Sequence, residues 1–238
     1  MYNDAMSELI TIHPRFNGPP EAGNGGYLCG LIASVLQRSV NVRLHRAAPL
    51  ATVLELVPQG PEEWQLRRES EVIASARPAS VDVTPPRAPS YVEALAAAQH
   101  FAGFRRHTVP RCFVCGPERA QGDGLRIFPG PVEGTDIVAA PWLPDLSLAD
   151  AEGKVKPEFI WASLDCPGYY ASVRDDRPAL LGELAVRIDR RPLADEPCVI
   201  VGWRIAAEGR KHRVGTALYA EGEALCAVGV ATWIELKT

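Results

Sequence analysis

The sequence of 238 residues predicts an α+β chain built from two tandem units, each a buried helix followed by four strands. Three observations lead there. Two apolar segments of helical character open on helix-start residues, one at Asn24-Gly25-Gly26 and one at Pro157. Each is followed by four extended runs, several with clear period-two alternation. The connection after the first strand also repeats: Val42-Arg43-Leu44 leading to Pro49-Leu50 matches Val186-Arg187-Ile188 leading to Pro192-Leu193. A period of roughly half the chain describes a fused pair and not a solenoid.

In order along the chain, Glu8 to Ile12 forms a short extended lead-in. The helix from Gly25 to about Arg38 follows. Asn24 suits its N-cap, and the two glycines let backbone N–H groups approach a ligand without Cβ atoms in the way. The first N–H groups of a helix lack internal partners and carry partial positive charge, so this stretch reads either as an oxyanion cradle or as a plain cap and tight turn. Val40, Val42 and Leu44 alternate with Asn41 and Arg43, which marks a half-buried strand. Strands are expected near residues 52–57, 64–69 and 72–83. Thr84-Pro85-Pro86-Arg87-Ala88-Pro89 then ends the first half, because successive prolines remove ladder donors.

Ser90-Tyr91-Val92-Glu93 is a capping-box pattern that starts an Ala-rich helix reaching about Ala102, expected as a strut across the outside. Strands are expected at Leu125–Phe128 and Asp136–Ala139. The second buried helix runs from Pro157 into Asp165, where Pro167-Gly168 should kink or end it. Extended runs near 184–188, 199–205, 213–220 and 224–236 complete the second half. The expected division is an N-terminal half 1–84, a linker 85–124 carrying a short helix and a CxxC loop, and a C-terminal half 125–238.

Composition narrows the function. An apolar content of 47% supplies a substantial core, and a net charge of −4 without a long Lys/Arg run argues against nucleic acid as a partner. No stretch approaches the roughly 20 apolar residues of a membrane span. Met1-Tyr2-Asn3-Asp4 lacks the basic flank of a signal peptide, so a cytoplasmic location is expected. Of the six cysteines, Cys29, Cys166, Cys198 and Cys226 sit singly in apolar runs and read as reduced core residues. Cys112-Phe113-Val114-Cys115 is half of a zinc site or a redox pair. A structural zinc needs two more ligands, no second CxxC follows, and the spacing of His100 and His107 matches no familiar zinc module, so no metal is expected.

The element order, together with Asn24-Gly25-Gly26 and Cys112-Phe113-Val114-Cys115-Gly116 leading to Gly124-Leu125-Arg126-Ile127-Phe128, resembles the hotdog-fold thioesterase superfamily in its double-hotdog acyl-CoA thioesterase arrangement. The resemblance implies two tandem hotdog repeats, each a long central helix wrapped by an antiparallel sheet. It also implies a carboxylate two helical turns past the glycines. Ala33 stands at that place in the first half and Asp165 in the second, while Glu158 stands level with Gly26. One composite site is therefore implied, Asn24-Gly25-Gly26 with Asp165, the other pairing having lost both parts.

The implied reaction is hydrolysis of an acyl-CoA-type thioester without a cofactor. N–H groups of Gly26 and Tyr27, with the Asn24 amide, are expected to hold the oxyanion, each such donor typically being worth about 3 kcal/mol. Asp165 acts as base or nucleophile, its apolar neighbours Trp161, Leu164 and Cys166 raising its pKa. Gly25, Tyr27, Trp161 and Tyr169 are expected to contact substrate. The turn Gly209-Arg210-Lys211-His212-Arg213 reads as a solvated hairpin that could also meet coenzyme A phosphates. The rivals are a non-catalytic acyl-CoA or apolar-ligand binding protein and, further off, a hotdog hydratase or dehydratase, for which no histidine lies in either helix. A free strand edge leaves room for a homodimer of such chains.

Overall fold

The computed structural model describes residues 7–173, 177–220 and 224–237; Met1 to Asp4 lie outside them. β1 (Glu8–Thr11) leads to helix α1 (Gly25–Leu36) and then to β2 (Val40–Leu44), β3 (Val53–Gly60), β4 (Glu63–Arg68) and β5 (Glu71–Pro78). Helix α2 (Tyr91–Ala98), β6 (Gly130–Pro131) and β7 (Ile137–Trp142) follow. Helices α3 (Pro157–Ser163) and α4 (Cys166–Ser172) then precede β8 (Ala179–Ile188), β9 (Cys198–Glu208), β10 (Lys211–Ala220) and β11 (Ala224–Glu235). All the strands join one antiparallel sheet in the order β1-β3-β4-β5-β2-β8-β11-β10-β9-β7-β6. Read outward from the central β2–β8 pair, where Val42 lies opposite Leu184, the order on one side mirrors that on the other except that β6 has no counterpart.

The loops before the two buried helices share several backbone bonds. Bridges Asn17–Gly23 and Ala22–Pro49 have counterparts Ala149–Val155 and Lys154–Leu193. Asn24 N–H donates to Phe16 O and Lys156 N–H to Leu148 O; Gly23 N–H donates to Ala48 O and Val155 N–H to Pro192 O. Each 3-10 turn, Pro14–Phe16 and Leu146–Leu148, is capped by the side chain just before it, His13 or Asp145. This common offset of the two loops sets Lys156 level with Asn24, the residue before each helix.

α1 forms as its sequence dictates. The Asn24 side chain accepts Tyr27 N–H at 2.9 Å, and the helix stops at Gln37, whose left-handed backbone (φ 50°) returns its N–H to Ala33 O. Gly26 and Gly30, one turn apart, face α3. A Cβ on Gly30 would lie 2.6 Å from Glu158 Cα, and one on Gly26 2.6 Å from Asp165 Cβ. The two helices therefore cross almost backbone to backbone.

The second buried helix is not one long element, a correction to the repeated long helix expected. It stops at Ser163 and resumes as α4, with Leu164 and Asp165 between. Pro167 lacks an N–H and its ring opposes the carbonyl four residues back, so the helix cannot run through. The buried hydroxyl of Thr216 donates to the freed Leu164 carbonyl at 3.0 Å.

Other boundaries differ for local reasons. Leu125–Phe128 joins no sheet strand. Leu125 N–H and Ile127 N–H donate instead to Phe113 O and Val114 O, so this segment pairs with the CxxC loop. β5 stops at Pro78, and residues 79–90 leave the sheet. α2 ends at Ala98, four residues short of the expected end. Residues 79–98 lie on the outer face of the second half-sheet, where Val81, Ala88 and Ala94 pack against Ala139, Val201, Ala217 and Val228. Tyr219 Oη donates to Pro86 O at 2.6 Å and Arg187 Nη1 to Val81 O at 2.7 Å. The second part of the linker enters the main core: Phe113, Val114 and Ile127 are fully buried beside α1 and α3.

Candidate active site

The break between α3 and α4 places Asp165 directly against the start of α1. Its Oδ2 accepts Asn24 Nδ2 at 2.8 Å and Gly26 N–H at 3.0 Å. Its Oδ1 is buried with no hydrogen-bond partner among the described residues. The residue is 2% exposed, and burial pushes its pKa up to about 7, partly opposed by the Gly26 N–H. One carboxylate oxygen is thus clamped and the other is bare.

Asp165 lines a cavity of about 360 Å³ shared with Asn24, Gly25, Leu181, Tyr169 and Trp233. Asn24, Gly25 and Tyr169, singled out in the sequence, line this cavity. Gly26 reaches the site through its N–H alone. Two expected residues do not line the cavity. The Tyr27 ring belongs to an aromatic cluster, with centroids 4.4 Å from Phe16 and 5.6 Å from Phe159. Trp161 turns its carbonyl and Cβ towards Gly26 and Gly30, and its ring is buried.

The oxyanion cradle also differs from expectation. Gly26 N–H is engaged by Asp165, Tyr27 N–H by the Asn24 side chain, and the Asn24 amide by Asp165. None of the three expected donors is free. Gly25, the first helical residue, lines the cavity, and no bond engages its N–H among the described residues. At the reciprocal pairing, Lys156 before α3 gives no side-chain cap and Ala33 of α1 offers no carboxylate.

The sequence reading missed what stands beside Asp165. Cys166, the next residue, brings its Sγ to 3.8 Å from Cys112 Sγ, and the sulfurs of Cys112, Cys115 and Cys166 all lie within 4.8 Å of one another. His107 Nε2 is 3.3 Å from Cys115 Sγ. Hydrogen bonding from Cys115 and Cys166 holds the Cys112 thiol well below its ordinary range and pushes the other two up, while burial lowers His107. The three sulfurs, His107, Tyr170 and Trp233 also line the cavity. The CxxC spacing was the available signal; the third sulfur becomes its neighbour only through the fold.

The sequence matches no protein-family model and no curated protein. In structure the chain is similar to a tesB protein of Mycobacterium avium subspecies paratuberculosis, with TM-score 0.61 and 11% identity over 97% of this chain and 93% of that one. It is likewise similar to an acyl-CoA thioesterase II of Mycobacterium marinum, with TM-score 0.60 and 13% identity over 100% of this chain and 96% of that one. The chain thus has the fold of these two proteins over nearly its whole length.

Proposed function

We propose that the chain is a double hotdog, divided near residues 84 and 125, that hydrolyses an acyl-CoA-type thioester at one composite site. The observation that carries this reading is the Asp165 carboxylate, with Oδ2 clamped by Asn24 and Gly26 and Oδ1 bare on a residue that lines the cavity. A carboxylate so fixed can take a proton from one water without first breaking a bond of its own. The water oxygen attacks the thioester carbonyl as its proton passes to Oδ1, and when the C–S bond breaks that proton is returned to the leaving sulfur, giving a carboxylic acid and a thiol and restoring the carboxylate.

The Gly25 N–H, at the positive end of α1, is the donor available to the developing oxyanion. Leu44, Leu181, Tyr169, Tyr170 and Trp233 give the cavity an apolar wall suited to an acyl group. Arg46 and Arg210, exposed where they line it, can meet the phosphates of coenzyme A. Pairing of two chains through the free outer edge of β1 belongs to the same reading.

The test is release of free thiol from acyl-CoAs of varied length, aromatic ones included. Asp165→Asn should lower kcat about 100-fold or more. Glu158→Gln, level with Gly26 but in the half-site that lacks both the glycine pair and a partner carboxylate, should leave it unchanged. Full activity in Asp165→Asn would falsify the assignment. A second reading, acyl-CoA binding without turnover, is favoured by the engagement of Gly26 and Tyr27 N–H inside the protein. Tight binding of acyl-CoA with no thiol release would establish it instead.

A further inference from the structure

The CxxC loop is a tight turn with its two cysteines buried. Leu125 and Ile127 N–H donate to Phe113 O and Val114 O between the two cysteines, and Gly116 N–H closes the turn on Cys112 O at 2.9 Å. A Cβ on Gly116 would lie 2.5 Å from that same oxygen, so only glycine fits after the second cysteine. Behind the loop the Arg119 side chain, itself 5% exposed, ties Arg111 O, the Asp123 carboxylate and the Asn17 side chain together. The loop is thus held rigid at the cavity wall, and Cys166 meets it from the first turn of α4.

The sulfur geometry has a chemical meaning. Four ligands about 2.3 Å from a tetrahedral zinc are separated from one another by about 3.8 Å. Cys112 and Cys166 already stand 3.8 Å apart, with Cys115 inside the same cluster. Three buried thiols packed this closely have only weak donors to offer one another. A thiolate among them, near the buried Asp165, would lack a counter-charge, and a divalent cation supplies one.

His107 completes the surroundings as an outer partner and not as a ligand. Its Nδ1 accepts Val109 N–H at 3.0 Å, which leaves the proton on Nε2, and Nε2 points at Cys115 Sγ. The fourth coordination position is then free, and Cys112, Cys115, Cys166 and Asp165 share one cavity from which a water or a ligand atom can fill it.

We propose that Cys112, Cys115 and Cys166 bind one zinc-like, thiophilic divalent cation, with His107 donating to Cys115 Sγ and the fourth position open to the cavity. On binding, three S–H protons pass to solvent and three metal–sulfur bonds form, with no change of oxidation state. The site stands apart from the thioesterase reading, since neither needs the other.

The experiment uses the full chain, purified under reductant and titrated with zinc and with cobalt(II). One equivalent of zinc per chain is expected, measured by elemental analysis after dialysis. The cobalt form should show sulfur-to-cobalt charge-transfer bands and tetrahedral d–d bands, and added cyanide or azide should shift the latter. His107→Gln should weaken binding about 10-fold. Cys166→Ser should lose stoichiometric binding, while Cys198→Ser, at a buried thiol elsewhere, should keep it. Circular dichroism checks that the variants fold, and zinc release from the wild type by a mercurial reagent gives an answer independent of any variant. Failure of reduced wild-type protein to take up either metal overturns the proposal. So does undiminished affinity in Cys166→Ser, or a cobalt spectrum blind to added anions.

Discussion

A single side chain, Asn24, connects local helix formation to the candidate chemistry. Its Oδ1 caps α1 through Tyr27 N–H while its Nδ2 holds Asp165. Asn24→Ala should therefore cost about 1–2 kcal/mol of stability, read from denaturant unfolding, and lower activity as well. Asn24→Ser should separate the two roles. A serine hydroxyl can still cap but is too short to clamp the carboxylate, so stability should recover while activity stays low. If both recover together, the link from Asn24 to Asp165 plays no part in turnover. At this scale the sequence was informative about position and silent about partners. Asn24, Gly25 and Asp165 could be singled out by spacing and resemblance, but which N–H faces which acceptor depends on a helix arriving from far along the chain. The same limit hid Cys166 as a neighbour of Cys112 and turned Tyr27 and Trp161 away from the cavity.

Among the elements, the crossing of α1 and α3 sets the depth of the site. Gly26 and Gly30 allow an approach at which any Cβ would touch backbone or the Asp165 stem. Gly30→Ala should destabilise the protein by about 1–3 kcal/mol, because the atom 2.6 Å from the added methyl is the Cα of Glu158 and not a mobile side-chain end. Thermal unfolding measures this, and an unchanged midpoint would mean that the helices can slide apart at no cost. Helices and strands here were largely readable from periodicity and caps: α1, β2, the capping box of α2 and the break before Pro167 all follow from local residue types. Leu125–Phe128 was not, since its alternation fits a strand yet its backbone bonds go to the CxxC loop. Periodicity tells that a segment is extended and half buried, but it does not name the neighbour.

The whole molecule is held by features that cross from one half to the other. The main core includes Leu28 and Ile32 of α1 together with Ile160 and Leu164 from the second half, and β2 pairs directly with β8. Unfolding should accordingly appear as one cooperative transition in calorimetry. A fragment of residues 1–84 expressed alone should stay unfolded by circular dichroism, because the buried face of α1 would have nothing to cover it. Two separate transitions, or a folded fragment, would show the halves to be independent. The outer face is unequal: residues 79–98 cover the second half-sheet, whereas the corresponding face of the first carries Asn41, Arg43, Gln65 and Arg77 around a polar groove. The clamp between Gly26 and Asp165 spans 139 residues of sequence, which sets a clock on biosynthesis. At ordinary elongation speeds of about 5–20 residues per second, the start of α1 is synthesised roughly 7–28 s before its carboxylate partner. For that interval an apolar helix must remain unpaired and unaggregated, so the nascent first half is the stage at which this chain most needs a chaperone.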